Sequence, residues 1–435
     1  MTIELNNPKT LKAWYMYDWA NSVYSLVITS AIFPVYYQAV AVTKTGSDVI
    51  SFFGYPIVNS VLYSWSLSAS FLVMALILPL LSGMADYTGR KKFFMKIFVY
   101  IGGLACMGLY FFKDVETVEL AIVFSMLASI GYAGSLVFYD AYLPEIASSD
   151  RYDRTSANGY SWGYYGSIIL LIFNLVQITF YDSFGFATAG EATRFSFLLV
   201  GLWWVGFSQI PFAVLPENPF GRKPKLSALI GGYWEILKVW NELKTQTNIR
   251  LYLVAYFFFN MGVQTVMYLA ATFGSKELEL ADEKLIMTVL IIQVVAAFGA
   301  YGFARLSEKR GNKLSLMTMI AIWIGVCLSA YFVYTEYQFY ALAFTVGLVM
   351  GGIQSLSRAT YSKIIPSDTV DHASYFSFFD VTFNLSIVMG TFSYGLIEQI
   401  TGNMRNSTLV LMVFFIIGMF LLSRVKIKSI RLGNQ

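Results

Sequence analysis

Acids set inside apolar runs are the residues of this chain with chemistry to offer. Asp18 lies in Trp14-Tyr15-Met16-Tyr17-Asp18-Trp19-Ala20-Asn21-Ser22, and Asp380 in Phe376-Ser377-Phe378-Phe379-Asp380-Val381-Thr382-Phe383-Asn384. An acid at the centre of a membrane helix costs about 2.5 to 3.5 kcal/mol on insertion scales, so such residues face a cavity or a partner. Asp18 and Asp380 fall one to two turns from the inner side of their runs, and Asp140 and Glu145 at the inner end of another. With Arg358 as an available cation, these depths suit an inner gate or the mouth of a cavity. For Asp18 an interfacial residue hydrated by headgroups, or a helix cap, remains an alternative. Asn21, Asn260, Gln264, Gln354 and Asn384 add neutral polar groups. Any one of them can simply bond helix to helix for about 0.6 to 2 kcal/mol. As a set they fit a pathway for a polar solute, because amides bind both carboxylate and ammonium groups.

The elements that must position these groups are legible in the hydropathy. Of 435 residues, 57% are hydrophobic and 13% charged, against about 25% charged in a soluble domain. Apolar runs long enough to cross a bilayer of roughly 30 Å recur near 14–40, 60–82, 93–112, 119–141, 158–181, 194–215, 250–273, 284–304, 314–334, 338–358, 374–399 and 407–424. The expected fold class is an all-α integral membrane protein with twelve transmembrane helices in two six-helix bundles; barrel strands would be about ten residues of alternating polarity. All but six of the 30 Lys and Arg residues (Lys44, Lys113, Arg194, Lys276, Lys284 and Arg405) fall on one side if both ends are cytoplasmic, which fixes that orientation by the positive-inside rule. The net charge of +4 is the sum of these loop charges and points to no nucleic acid. Cys106 and Cys327 sit in apolar runs as small hydrophobes. The clustered aromatics Trp14, Tyr15, Tyr17 and Trp19 read as interfacial anchors, and His372, the only histidine, as a solvated loop residue.

The expected organisation is an N-terminal bundle over 1–215, a cytoplasmic linker over 216–249 and a C-terminal bundle over 250–435. Within the linker, Trp234, Leu237, Trp240 and Leu243 recur at helical spacing. That stretch is a helix lying either at the membrane interface or against the loops beneath the bundles. Gly83-x-Ala85-Asp86 after run two is echoed by Gly302-x-Ala304-Arg305 after run eight, as a duplicated transporter half would be.

The loop Ser82-Gly83-Met84-Ala85-Asp86-Tyr87-Thr88-Gly89-Arg90-Lys91-Lys92 combines a glycine for a tight turn, an acid for a neighbouring helix terminus or an arginine, and cations for the inner surface. It resembles the signature loop of the major facilitator superfamily, with Gly83, Asp86, Gly89, Arg90 and Lys91 as its gating residues. The opening YDWANS, the segment Phe138-Tyr139-Asp140-Ala141-Tyr142-Leu143-Pro144-Glu145-Ile146, the stretch Gly159-Tyr160 to Gly166, and Gly351-Gly352-Ile353-Gln354-Ser355-Leu356-Ser357-Arg358 resemble the vacuolar amino-acid effluxer family and its bacterial relatives over the full length. The resemblance implies a twelve-helix facilitator and export of amino acids from fungal vacuoles, with an unsettled substrate in bacteria. Two departures stand out. Span seven of that family often carries an acid after its asparagine, where this chain has Met261, which cannot titrate. The loop Arg305-Leu306-Ser307-Glu308-Lys309-Arg310 keeps the charge and loses the Asp, which suggests asymmetric gating.

Absences narrow the class. The chain has no Walker phosphate loop, no Cys/His cluster for zinc and no nucleophile elbow, so neither an enzyme, a metal nor a cofactor is expected. The reading is a secondary transporter of small polar solutes, amino acids or related metabolites, working by alternating access. Alternatives are an uncoupled facilitator and a non-transporting receptor or scaffold. Expected partners are the lipid bilayer, a small-molecule solute and, if transport is coupled, protons, with no nucleic acid; a monomer in the cell (inner) membrane is expected.

Overall fold

The computed structural model describes residues 4–217, 226–401 and 403–427. Residues 218–225 of the expected linker and the basic tail with Lys428 and Arg431 lie outside the described residues. Twelve long helices follow one another, here called spans one to twelve. Span one runs Pro8–Val23 and continues through Tyr24–Ala31 and Ile32–Val40. Spans two to six are Asn59–Thr88, Lys91–Gly108, Val118–Asp140, Tyr152–Thr179 and Ala189–Val214. Spans seven to twelve are Thr247–Leu278, Asp282–Arg310, Asn312–Tyr331, Glu336–Ile364, His372–Thr401 and Met404–Arg424. Eleven helical stretches of the described residues are long and apolar enough to cross a membrane; span eleven, which carries Asp380 and Asn384, is the twelfth long helix, at 30 residues.

Because the number of crossings is even, both ends lie at one face, called here the terminal face. Asn6 bonds to Ser148 there, and Lys313 to the carbonyls of Ser423 and Val425. The halves meet where span five packs on spans eight and ten and where span two packs on span eleven. Small side chains allow the first contact: Ala157 of span five is buried against Ala300 and Ala304 of span eight. The helix Leu226–Thr245 connects the halves. It packs on span two, where the Gly232 carbonyl lies against Gly83, and buries Val239 and Leu243 while Trp234 is 63% exposed. Trp240 instead stacks on Phe378. Of the Trp234, Leu237, Trp240 and Leu243 stripe of the sequence reading, Leu243 is buried and Trp240 packs on span eleven, while Trp234 faces outward.

Two local features depart from expectation. Span one contains an eight-residue π-helical stretch, Tyr24–Ala31, just before Pro34. That proline lacks an N–H and crowds the carbonyl four residues back, so the ladder widens there, as it does at many functional sites. At the opposite face, Val49–Phe52 and Tyr55–Val58 form an antiparallel hairpin in register Val49 with Val58. Four-residue strands beside a membrane helix leave little periodicity in sequence.

The signature loop is shorter than expected. Nothing in Gly83-Met84-Ala85-Asp86-Tyr87-Thr88 breaks a helix, so span two continues to Thr88. The turn belongs to Gly89, whose φ of 68° closes the helix with bonds to the Ala85 and Asp86 carbonyls, a conformation costly for residues with a Cβ. Arg90 then leads into Lys91 at the start of span three. Gly83 serves close helix approach to Gly232, not a turn.

Candidate functional site

Arg358 of span ten crosses from the second half into the first and is 2% exposed. Its Nη1 donates to Asp140 Oδ1 at 2.9 Å and its Nη2 to Asp18 Oδ2 at 3.4 Å. Nε donates to the Ser156 hydroxyl at 2.9 Å and Nη2 to the Ser156 carbonyl at 3.1 Å. The five N–H donors of a planar guanidinium suit it to serve acceptors from three helices at once. Aromatic rings lie against it, with the Tyr160 centroid 4.4 Å and the Trp14 centroid 4.6 Å from the guanidinium carbon. Trp14 stacks on Tyr139 and donates to its carbonyl, and the Tyr139 hydroxyl donates to Asp18 at 2.6 Å. Trp14 and Tyr17 are fully buried and Tyr15 nearly so. They are therefore packing for this cluster, and the reading of them as interfacial anchors is corrected. Gly159 belongs to the same construction: a Cβ there would strike the Asp18 carboxylate and come within 3.0 Å of Trp14 and 3.1 Å of the Tyr139 hydroxyl.

Three further contacts tie the halves at the terminal face. Asp86 accepts from the backbone N–H groups of Ala373 at 3.2 Å and Ser374 at 2.6 Å, an acid from span two capping the start of span eleven. Asp153, 1% exposed in the first turn of span five, accepts from Ser307, Asn312 and Lys363, each at 2.7 Å. Glu145 binds Lys91 of its own half and His372 of the other, the latter at 2.8 Å. His372 is therefore a bridging residue, not a solvated one, and Glu145 stands apart from Arg358. Lys238 of the connecting helix pairs with Asp371, whose hydrogen bond holds the ammonium above its ordinary value. Replacing Asp86 with Ala removes the cap, worth about 0.5 to 2 kcal/mol. A roughly two- to thirtyfold faster opening of the terminal face is expected, read as maleimide labelling of a cysteine placed there.

Between the halves lies a cavity of about 120 Å³ whose wall includes Asp18, Asn21, Gln264, Gln354, Asp380 and Asn384, with Asp140 and Arg358 as part of its lining. By the volume a single water occupies, it holds on the order of ten water-sized groups. The π-helical stretch contributes Tyr24, Ser25, Thr29 and Ser30. Gln354 accepts from the Tyr164 hydroxyl at 2.8 Å, a bond between halves. Asn260 does not line the cavity: it donates to Ser386 at 2.6 Å and accepts from Gln264 at 3.2 Å, tying span seven to span eleven. Asp380 is 7% exposed, has an unpartnered Oδ2 and forms no ion pair with the described residues. The amide nitrogens of Asn21 and Asn384 and the Gln293 carbonyl oxygen also lack partners. A second cavity of about 60 Å³, within the second half, is lined almost entirely by apolar groups such as Phe273, Ile292, Phe339 and Leu411 and offers no chemistry. Among the described residues no group of His, Cys, Asp and Glu could hold a metal.

Sequence reasoning missed Asp153, Ser156, Tyr139, Tyr160, Asn312, Lys363 and Gln293. An acid in the first turn of a helix looks like ordinary dipole compensation, so Asp153 carried no separate signal. Only the missing acid of the 305–313 loop hinted that its partner lies on another helix.

Two halves of six helices around a central polar cavity define the class: this is a transporter of the major facilitator fold. The chain belongs to the family described as "Vacuole effluxer Atg22 like", which it matches over residues 6–432. It is 30% identical to the uncharacterized MFS-type transporter YxiO of Bacillus subtilis, across 96% of this chain and 95% of that protein. It is 23% identical to autophagy-related protein 22 of Saccharomyces cerevisiae strain S288c, across 98% of this chain and 92% of that one. In fold it is similar to the crystallised transporter FucP in the outward conformation, with a TM-score of 0.72 at 12% identity, covering 97% of this chain and 99% of FucP. The proton:xylose symporter XylE gives 0.69 at 12% identity, covering 98% and 96%.

Proposed function

We propose that this protein is a secondary transporter of a small polar solute, an amino acid or a related metabolite, and that its Arg358 cluster is the cytoplasmic gate. In this reading the terminal face is the cytoplasmic face of a bacterial cell membrane, and the protein acts as a monomer. The halves 1–215 and 250–435 rock about the cavity, linked by 216–249. The observation that carries the reading is the position of the cavity: polar, sized for a small metabolite, and closed toward the terminal face by Arg358 with Asp18, Asp140 and Ser156. Such a site at the interface of two helix bundles is how alternating access is built. The effluxer description of the family supports export.

Asp380 is the cavity acid without a cation partner among the described residues, so it is the group able to take up a proton or a cationic part of the solute. The buried Met261, 3% exposed, cannot serve as a proton site and favours an uncoupled facilitator as the second reading. The test is flux of a labelled amino-acid mixture into proteoliposomes, with and without an imposed pH gradient, beside Asp18→Asn. Gradient-driven uptake that falls at least tenfold in the variant is expected. Equal uptake with and without the gradient identifies a facilitator. Absence of flux for every solute tried supports a scaffold and contradicts the proposal.

A further inference from the structure

We infer that the cavity recognises its solute by an ammonium group held at Asp380 and offers no charge to a carboxylate, so that it prefers organic amines and carboxyl-masked amino acids over free acids. The inference rests on the transporter reading and names the substrate class of the same site.

The charges decide the sign. Asp18, Asp140 and Asp380 line the cavity against a single cation, Arg358. That cation is already spent: its three nitrogens donate to Asp140, Asp18 and Ser156, and three aromatic rings lie against it. A solute carboxylate would find no free positive charge in the described lining. Asp380 has the opposite need, since an acid 7% exposed, with an oxygen lacking any partner, is costly to leave uncompensated in a membrane helix.

Its surroundings suit an ammonium more than a proton. Phe379 beside it is held in a stack with Tyr256 and Tyr361, the centroids 4.3 and 4.9 Å away, so the wall around the acid, which includes Tyr256, Phe379 and Phe383, is rigid and apolar. Asn384, one helical turn from Asp380, and Asn21 across the cavity each have an amide nitrogen without a partner. A bare proton on Asp380 would leave both idle. A solute carrying an ammonium together with a carbonyl or hydroxyl oxygen satisfies the acid and the amides at once.

The experiment uses the purified full-length protein and matched probes. Alanine, leucine and tyrosine are each presented as the free amino acid, the carboxamide and the N-acetyl acid, and binding is read by thermal stabilisation. Carboxamides are expected to bind at least threefold more tightly than the free acids, and N-acetyl acids not to bind. In Asp380→Asn, carboxamide binding is expected to weaken at least tenfold, with the melting temperature without solute unchanged or raised. N-acetyl acids binding as well as carboxamides, or no amine shifting the protein, would overturn the inference. So would Asp380→Asn losing gradient-driven flux while keeping its carboxamide affinity, which would make Asp380 a proton site. Flux in proteoliposomes separates the two levels. Transport of an N-acetyl acid or a neutral solute retains the transporter and removes the ammonium site, whereas no flux of any probe removes the transporter.

Discussion

Replacing Arg358 with methionine is expected to lower transport at least a hundredfold and to leave the terminal face open. The substitution keeps most of the side-chain volume between Trp14 and Tyr160 and removes the charge that compensates Asp140 and Asp18. Breaking one partner of a buried ion pair costs about 3 to 5 kcal/mol. If the face opens, both acids meet water and that penalty disappears, so it falls on the closed form alone. A shift of this size multiplies the open-to-closed ratio by roughly 10² to 5 × 10³, and a carrier that cannot close one side does not cycle. The triple variant Arg358→Met, Asp18→Asn, Asp140→Asn removes the stranded charges and is expected to recover closure at least tenfold without recovering full transport. A purely packing role for Arg358 would give no such recovery.

The second large effect is expected at Asp153. Its carboxylate is the common acceptor for Ser307, Asn312 and Lys363, so Asp153→Asn leaves a buried ammonium with neutral amide oxygens, among them that of Asn312 2.8 Å away, and no counter-charge. The geometry is the counterpart of the Asp86 contact with the roles exchanged. In the first-half latch the acid sits on span two and caps the start of span eleven. In the second, the start of span five carries the acid, and the ends of spans eight and ten and the start of span nine supply the donors. Loss of Asp86 removes a cap; loss of Asp153 breaks an ion pair. Asp153→Asn is therefore expected to slow transport ten- to a hundredfold, more than Asp86→Ala, with Lys363→Met in the same chain restoring part of the rate. Equal effects of the two acids, read as uptake rates in the same proteoliposomes, would show that the latches carry equal weight.

Much of the architecture could be read before any coordinates, because twelve apolar runs and a one-sided distribution of Lys and Arg are set by the bilayer itself. The site was legible only as an inventory. Arg358 meets Asp140 218 residues away and Asp18 340 residues away, and no local pattern records such a pairing. Aromatic residues misled for a related reason: Trp14 and Tyr17 stand where anchors usually stand, yet they are 0% exposed because spans four and five close over them. Asn260 and Gln264 look alike in sequence and share a helix face, bonded to each other, and only their depth along span seven decides that Asn260 meets Ser386 while Gln264 lines the cavity. His372 looked solvated because its neighbours are polar, whereas Glu145 from the other half reaches it. Asp153 escaped altogether, its partners lying on three other helices.

The central claim, that the Arg358 cluster is the movable gate of an alternating-access carrier, is tested most directly by the reactivity of a single cysteine at Ala304. That position is 3% exposed and packs against Ala157 across the contact between halves. Cys106 and Cys327, both buried, are replaced with alanine, and an impermeant maleimide is applied to the terminal face. The account expects slow labelling of Ala304→Cys, at least tenfold faster labelling once Arg358→Met is added, and a change in rate when transported solute is present. Labelling that is equally fast with Arg358 in place, or unchanged by its removal, would contradict it.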